Sequence, residues 1–217
     1  MPNKSLLLGT GGIGSAIAQT LRDRGEDVTT LSRSADGFDV TDPASTERHL
    51  GAIGGTFERI IVTVGVLGTP EKKLTEIDRD AMASVFAVNT FGPALILRHA
   101  ADLLPRDRPA VLAVLSARVG SIGDNHIGGW YSYRASKAAL NQIVHGAAIE
   151  VGRTHKQARI VALHPGTVET PFTEGYADRH KTVAASQAAD NLLGVIDGLD
   201  IEQSGGFFDY AGERIEW

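Results

Sequence analysis

Ser5-Leu6-Leu7-Leu8-Gly9-Thr10-Gly11-Gly12-Ile13-Gly14 runs from an apolar segment into a glycine-rich turn, and Ile13–Arg24 continues with helical periodicity up to Gly25. A short buried strand, a tight turn and a helix, in that order, satisfy G-x-G-x-x-G in the setting the pattern requires. Glycines there let the backbone turn sharply and come close to a pyrophosphate. The helix start adds unpaired N–H groups and a partial positive charge. Gly9, Thr10, Gly11, Gly12, Ile13 and Gly14 are therefore expected to bind a dinucleotide.

The rest of the chain alternates in the same way. Val28–Ser32, Gly37–Val40, Arg59–Val64, Ala110–Ser116, Arg159–Leu163 and Gly206–Tyr210 read as further strands. Pro43–Ile53, Asp78–Leu104, Ser132–Arg153 and Ala185–Leu199 read as helices, the second kinked or tightly packed at Pro93. Strands that are apolar throughout and separated by helices indicate a parallel sheet covered on both faces. The expected fold is α/β: a single doubly wound, Rossmann-type domain over residues 1–217, with a mainly parallel seven-stranded sheet.

The 217 residues suffice for one substantial core, and 42% hydrophobic content places the chain among globular proteins. The net charge of -5, with no basic patch, argues against nucleic acid as a partner. No cysteine is present, so disulfides and thiolate zinc sites are excluded. The histidines form neither H-x-x-x-H nor H-E-x-x-H, and no metal site is expected. The run Ala110–Leu115 is far too short for a membrane span, and Leu6-Leu7-Leu8 too short for a signal segment. The expectation is a soluble cytoplasmic protein with neither membrane nor nucleic-acid partner.

Cofactor choice in such folds is set after the second strand, where an acid suits a ribose 2′-hydroxyl and an arginine a 2′-phosphate. The chain there reads Leu31-Ser32-Arg33-Ser34. Arg33 with two flanking hydroxyls favours NADP, with NAD the alternative. Asp39 lies where it would reach the adenine amino group.

Tyr133-Arg134-Ala135-Ser136-Lys137 places a phenol and an ammonium four residues apart on one helical face. A free tyrosine has a pKa near ~10, and a nearby ammonium lowers it, so the pair suits proton donation and acceptance. Three further features fall where hydride transfer needs them. Ser116 ends a strand, and strand C-termini are where open α/β sheets bind ligands. Asn89 sits inside the long helix. Pro165, Gly166, Val168 and Thr170 form a turn that would lie beside the cofactor. No G-x-S-x-G is present, which argues against a hydrolase.

Taken together, these residues resemble the short-chain dehydrogenase/reductase family over nearly the whole chain. Gly120-Ser121-Ile122, Gly128-Gly129, Tyr131–Lys137 and Phe208–Arg214 are most similar to its C-factor and sniffer-type carbonyl reductase branch. The resemblance implies a carbonyl/alcohol oxidoreductase acting on a small molecule. In it, Tyr133 is the general acid/base and Lys137 binds the nicotinamide ribose and lowers the tyrosine pKa. Ser116 holds the substrate oxygen, with Ser121 the alternative donor, Asn89 anchors a water, and Thr170 binds the carboxamide. It also implies a substrate loop at about 166–185 and a homodimer or homotetramer. Three departures stand out: Leu8 replaces a leading glycine, Thr63-Val64-Gly65 replaces Asn-Asn-Ala-Gly, and Ser116-Ala117 replaces a serine pair, which by strict register puts Ala117 at the catalytic position. They motivate an alternative, a catalytically weak dinucleotide-binding regulatory or signalling protein of the same fold.

Overall fold

The computed structural model describes residues 2–173 and 182–217. Its strands are β1 (Lys4–Leu8), β2 (Asp27–Leu31), β3 (Arg59–Val62), β4 (Ala110–Leu115), β5 (Ala158–His164) and β6 (Phe207–Asp209). They form one sheet in the order β2-β1-β3-β4-β5-β6, parallel throughout. The helices are α1 (Gly12–Asp23), α2 (Arg33–Asp36), α3 (Pro43–Gly51), α4 (Arg79–Phe86), α5 (Gly92–Ala100), α6 (Tyr131–Val151) and α7 (Ala185–Gly198).

Successive strand residues point to opposite faces, so each apolar strand feeds two cores. Leu7, Ile61, Val111, Ala113, Val161 and Leu163 pack under α1 and α7, with Ile17, Leu21, Leu192 and Ile196. Leu6, Leu8, Ile60, Val62, Leu112, Val114 and Ile160 pack under α5 and α6, with Ile96, Leu97, Leu140 and Val144. Truncating one of these, such as Leu7→Ala, is expected to cost about 2–5 kcal/mol. The chain leaves β1 for β2 on one side and returns to β3 on the other. That reversal opens a crevice at the C-terminal ends of β1 and β3.

Two sequence expectations need correction. The sheet has six strands, because Gly37–Val40 is not a strand. Ser32 caps α2 by accepting the Ala35 N–H, the Asp36 carboxylate takes the Ser32 N–H, and Gly37 turns left-handed. Phe38 N–H then bonds back to Ser32 O and Asp39 N–H to Ser45 Oγ. These local bonds satisfy backbone groups that a strand would have paired. The apolar pattern that suggested a strand reflects Phe38 and Val40 entering the α5-side core. The expected helix Asp78–Leu104 is interrupted at Ala87–Phe91 by a five-residue π-helical turn, with Pro93 in the first turn of α5. Arg79–Leu103 is long and apolar enough to resemble a membrane span, yet its Ile96, Leu97 and Ala100 side chains lie in the core.

Candidate active site

The glycine turn is shaped by contacts only glycine permits. Gly9 has φ +101° and donates to Leu31 O at 2.8 Å. A Cβ on Gly14 would lie 2.2 Å from Gly9 O, which locks β1 and α1 together. Thr63, at the end of β3, donates from Oγ1 to Gly9 O at 2.7 Å. It thereby braces the turn where the family's asparagine-rich segment is missing. No side chain caps α1, and a Cβ on Gly11 would meet nothing within 4 Å. The first-turn N–H groups of α1 are therefore uncapped by any side chain, as an anion-binding helix start requires. This cradle fits a dinucleotide pyrophosphate. Arg33 is exposed at the start of α2, just beyond β2. Asp39 is held below the usual carboxylate range by hydrogen bonds from the Thr41 hydroxyl and N–H, with Arg33 contributing.

On the opposite wall, Gly166 turns left-handed against the Tyr210 ring, and Val168 is buried. Thr170 approaches Gly12 so closely that a Cβ there would lie 2.5 Å from Thr170 Cγ2. The turn after β5 and the glycine turn are thus in contact. The middle of the expected substrate loop lies outside the described residues.

α6 carries the proton-transfer pair. Tyr133 is buried between the Trp130 ring at 6.3 Å and the Phe172 ring at 6.1 Å. Lys137 Nζ lies 6.0 Å from the centre of the Tyr133 ring and donates to Leu115 O at 3.0 Å. No carboxylate among the described residues pairs with it, and burial lowers its pKa to about 8. Burial also raises the Tyr133 pKa. The expected lowering by Lys137 is thus absent here: desolvation of the phenol sets the direction.

Asn89 lies in the π turn and is fully buried. Its amide donates to Val66 O at 2.8 Å and Ser136 Oγ at 3.1 Å, and accepts the Val66 N–H at 2.8 Å. Thr90 adds a bond from its hydroxyl to Ser136 O. Asn89 therefore joins the segment after β3 to α6, beside Lys137. A Cβ on Gly65 would lie 3.5 Å from Asn89 Oδ1 and 3.6 Å from Lys137 Nζ.

Ser116 is not brought to Tyr133. Its hydroxyl donates to Asn141 Oδ1 at 2.6 Å, about 12 Å further along the α6 axis at 1.5 Å per residue. Ser121 is also engaged locally, its Oγ accepting the Asp124 N–H at 3.0 Å. Ala117 is buried where the family's second serine falls. Sequence reasoning missed Glu71. It is 7% exposed and its carboxylate accepts from the Ser132 N–H at 3.2 Å and from the Ser132 hydroxyl. A lone glutamate in Pro70-Glu71-Lys72-Lys73 looks like a solvated loop charge, and nothing local signals otherwise. No cluster of three metal-ligating side chains occurs among the described residues.

The parallel sheet with its glycine turn at the switch point, together with tyrosine and lysine one turn apart on α6, places the chain in an α/β oxidoreductase class. Residues 8–207 match the family profile described as Enoyl-(Acyl carrier protein) reductase, and the chain belongs to the short-chain dehydrogenase/reductase family. Among its relatives, 1-hydroxy-2-glutathionyl-2-methyl-3-butene dehydrogenase of Rhodococcus sp. (strain AD45) is 33% identical over 221 residues, covering 95% of each chain. C-signal of Myxococcus xanthus is 39% identical over 147 residues, 66% of this chain and 83% of that one. In fold, the chain is similar to the carbonyl reductase Sniffer of D. melanogaster, with a TM-score of 0.87, 20% identity and full coverage of both chains. It is also similar to the NADPH-bound carbonyl reductase from chicken fatty liver, with a TM-score of 0.83 and 24% identity, covering 100% of this chain and 94% of that one.

Proposed function

We propose that this protein is an NADP-preferring oxidoreductase that interconverts a small-molecule carbonyl and its alcohol. The observation that carries the reading is the pair Tyr133 and Lys137, buried on one face of α6. The glycine turn before an uncapped α1 and the exposed Arg33 support a dinucleotide with a 2′-phosphate. Gly9–Gly14 would hold the pyrophosphate, and Pro165, Gly166, Val168 and Thr170 the nicotinamide side. The nicotinamide supplies the hydride when bound. Tyr133 gives the proton of its hydroxyl to the carbonyl oxygen, and takes it back from the alcohol in the reverse direction. A pKa raised by burial keeps that hydroxyl protonated over the neutral range, so the free protein is poised for reduction. Lys137, its pKa near 8, can lose or gain a proton close to neutrality. Trp130 and Phe172 flank the phenol, and these aromatic walls suit an apolar substituent on the carbonyl.

The test is NADPH oxidation against a panel of carbonyl compounds, with Tyr133→Phe as control. Wild type should turn over, and the variant should lose about 100-fold or more in kcat while still binding NADPH. Wild type that binds NADPH and reduces nothing, or a fully active variant, would reject the reading. A second reading is a catalytically weak regulatory or signalling protein. It is favoured by Ala117 at the serine position, by the engagement of Ser116 with Asn141, and by the similarity to C-signal.

A further inference from the structure

We infer that Glu71 is a positioning residue for Tyr133: from sixty residues upstream it caps the helix that carries the phenol and fixes its first turn. The inference rests on Tyr133 as the proton donor proposed above.

α6 starts without a cap of its own. Its N-cap residue, Trp130, has φ +53° and no side-chain cap bond. A bulky residue in the left-handed region costs on the order of 1 kcal/mol or more and persists only where the surroundings hold it. Here the Trp130 N–H donates to Glu71 O at 2.6 Å. The Ser132 N–H and hydroxyl then donate to the Glu71 carboxylate. Glu71 thus takes hydrogen bonds from both residues flanking Tyr131, immediately before Tyr133. Gly129 permits this approach: it is left-handed, and a Cβ there would lie 3.3 Å from Glu71 O.

The carboxylate is buried and has no cationic partner among the described residues. Burial is the largest influence and pushes its pKa up, but hydrogen bonds from Ser132 and from backbone N–H groups outweigh it and hold the pKa below the usual range. An anion at the positive end of α6 is also favoured by the helix dipole. A buried unpaired carboxylate is otherwise costly, so the helix start is what keeps it there.

The same connecting segment is fastened a second time. Five residues before Glu71, Val66 is held through both backbone groups by the Asn89 amide, which also bonds Ser136. Ser136 Oγ donates to Tyr133 O at 2.8 Å. Tyr133 is therefore bracketed along α6 by two ties to one loop: Glu71 to Ser132, and Val66 through Asn89 to Ser136. Phenol placement matters because small displacements from the reacting geometry cost large factors in rate.

The experiment compares Glu71→Ala, Glu71→Gln and Ser132→Ala with wild type, measuring kcat, KM for a reduced carbonyl, NADPH affinity and the [13Cζ]tyrosine NMR resonance of Tyr133, assigned by its loss in Tyr133→Phe. Glu71→Ala should lower kcat about tenfold or more, with KM and NADPH affinity within about threefold. Glu71→Gln, which keeps an acceptor oxygen for Ser132, should recover most of that loss. The Tyr133 resonance should move in Glu71→Ala and return in Glu71→Gln. Should Glu71→Ala not fold, Ser132→Ala should show the same resonance shift and a smaller kcat loss. Unchanged kcat and an unmoved resonance in the folded variants would overturn the inference, as would a kcat loss matched by lost NADPH binding. If wild type reduces nothing, the oxidoreductase reading fails, and the resonance alone decides whether Glu71 positions Tyr133.

Discussion

The Ser116 hydroxyl donates to Asn141 Oδ1 at 2.6 Å, both side chains buried, eight residues along α6 from Tyr133. The same amide's Nδ2 is buried without a partner among the described residues. Ser116 therefore belongs to the packing between β4 and α6. Removing its hydroxyl leaves a second amide atom unsatisfied, at a cost of about 1–3 kcal/mol. Ser116→Ala should lower the urea midpoint while leaving kcat for carbonyl reduction within about twofold. Ala117→Ser puts a hydroxyl one residue on, where strand alternation turns it away from Asn141. It should raise kcat several-fold. A large kcat loss in Ser116→Ala would restore Ser116 to catalysis.

Arg33 is the second point of test. It is exposed, and no ion pair among the described residues engages it. A charge-assisted hydrogen bond is worth about 1.5–3 kcal/mol, or roughly 10- to 100-fold in affinity. Arg33→Ala should weaken NADPH binding by that factor and NADH binding by less than about twofold, as read by cofactor fluorescence titration. Equal losses would remove the basis for NADP preference.

What the sequence shows and hides follows from range. The β1 turn, the Tyr133–Lys137 spacing and the parallel α/β pattern are local, and local periodicity reports them directly. Gly37–Val40 misleads because Phe38 and Val40 are apolar for reasons of core packing, while Ser32, Asp36 and Ser45 take the hydrogen bonds a sheet would have supplied. The orientation of Ser116 depends on which face a strand end presents, a matter of one residue in register. Thr63 and Glu71 act on residues 54 and 61 positions away. No window of sequence short enough to show periodicity contains both partners. Asn89 is an intermediate case: its identity marked it, but its π turn and its tie between Val66 and Ser136 exist only in the folded chain.

His164, at the end of β5, predicts acid sensitivity. Its Nδ1 is buried without a hydrogen bond, and its pKa falls to about 4 through burial first and Arg118 second, with Asp209 opposing. An unfolded histidine titrates near 6.5. Between pH 6.5 and 4 the unfolded chain therefore binds a proton the folded one does not, and stability falls as pH falls through that window. The loss is on the order of 3 kcal/mol once both forms are protonated. Urea unfolding at pH 7 and pH 4.5 should show most of it in wild type, and His164→Asn should be flatter. Equal pH dependence in the two proteins would assign the loss to other groups.

Lys137 makes the opposite kind of statement, a stability cost at neutral pH. Burial lowers its pKa from 10.5 to about 8, so at pH 7 the ammonium is charged in both states and the folded one bears the desolvation. Between pH 8 and 10.5 the folded chain has released a proton that the unfolded chain still holds, and stability rises with pH through that window. Lys137→Met removes the charge and keeps the length of the stem, at the expense of the bond to Leu115 O. The variant should be more stable than wild type at pH 7 by about 1–3 kcal/mol. The gap should close as pH rises from 8 toward 10.5. Carbonyl reduction should fall by at least about 100-fold, because the group that would exchange protons beside Tyr133 is gone. Denaturant unfolding of both proteins at pH 7, 8.5 and 10, alongside NADPH oxidation at pH 7, measures each part. A variant less stable than wild type at pH 7 would mean that the Leu115 bond outweighs the burial of the charge, and that Lys137 is held in place for the fold as much as for proton transfer.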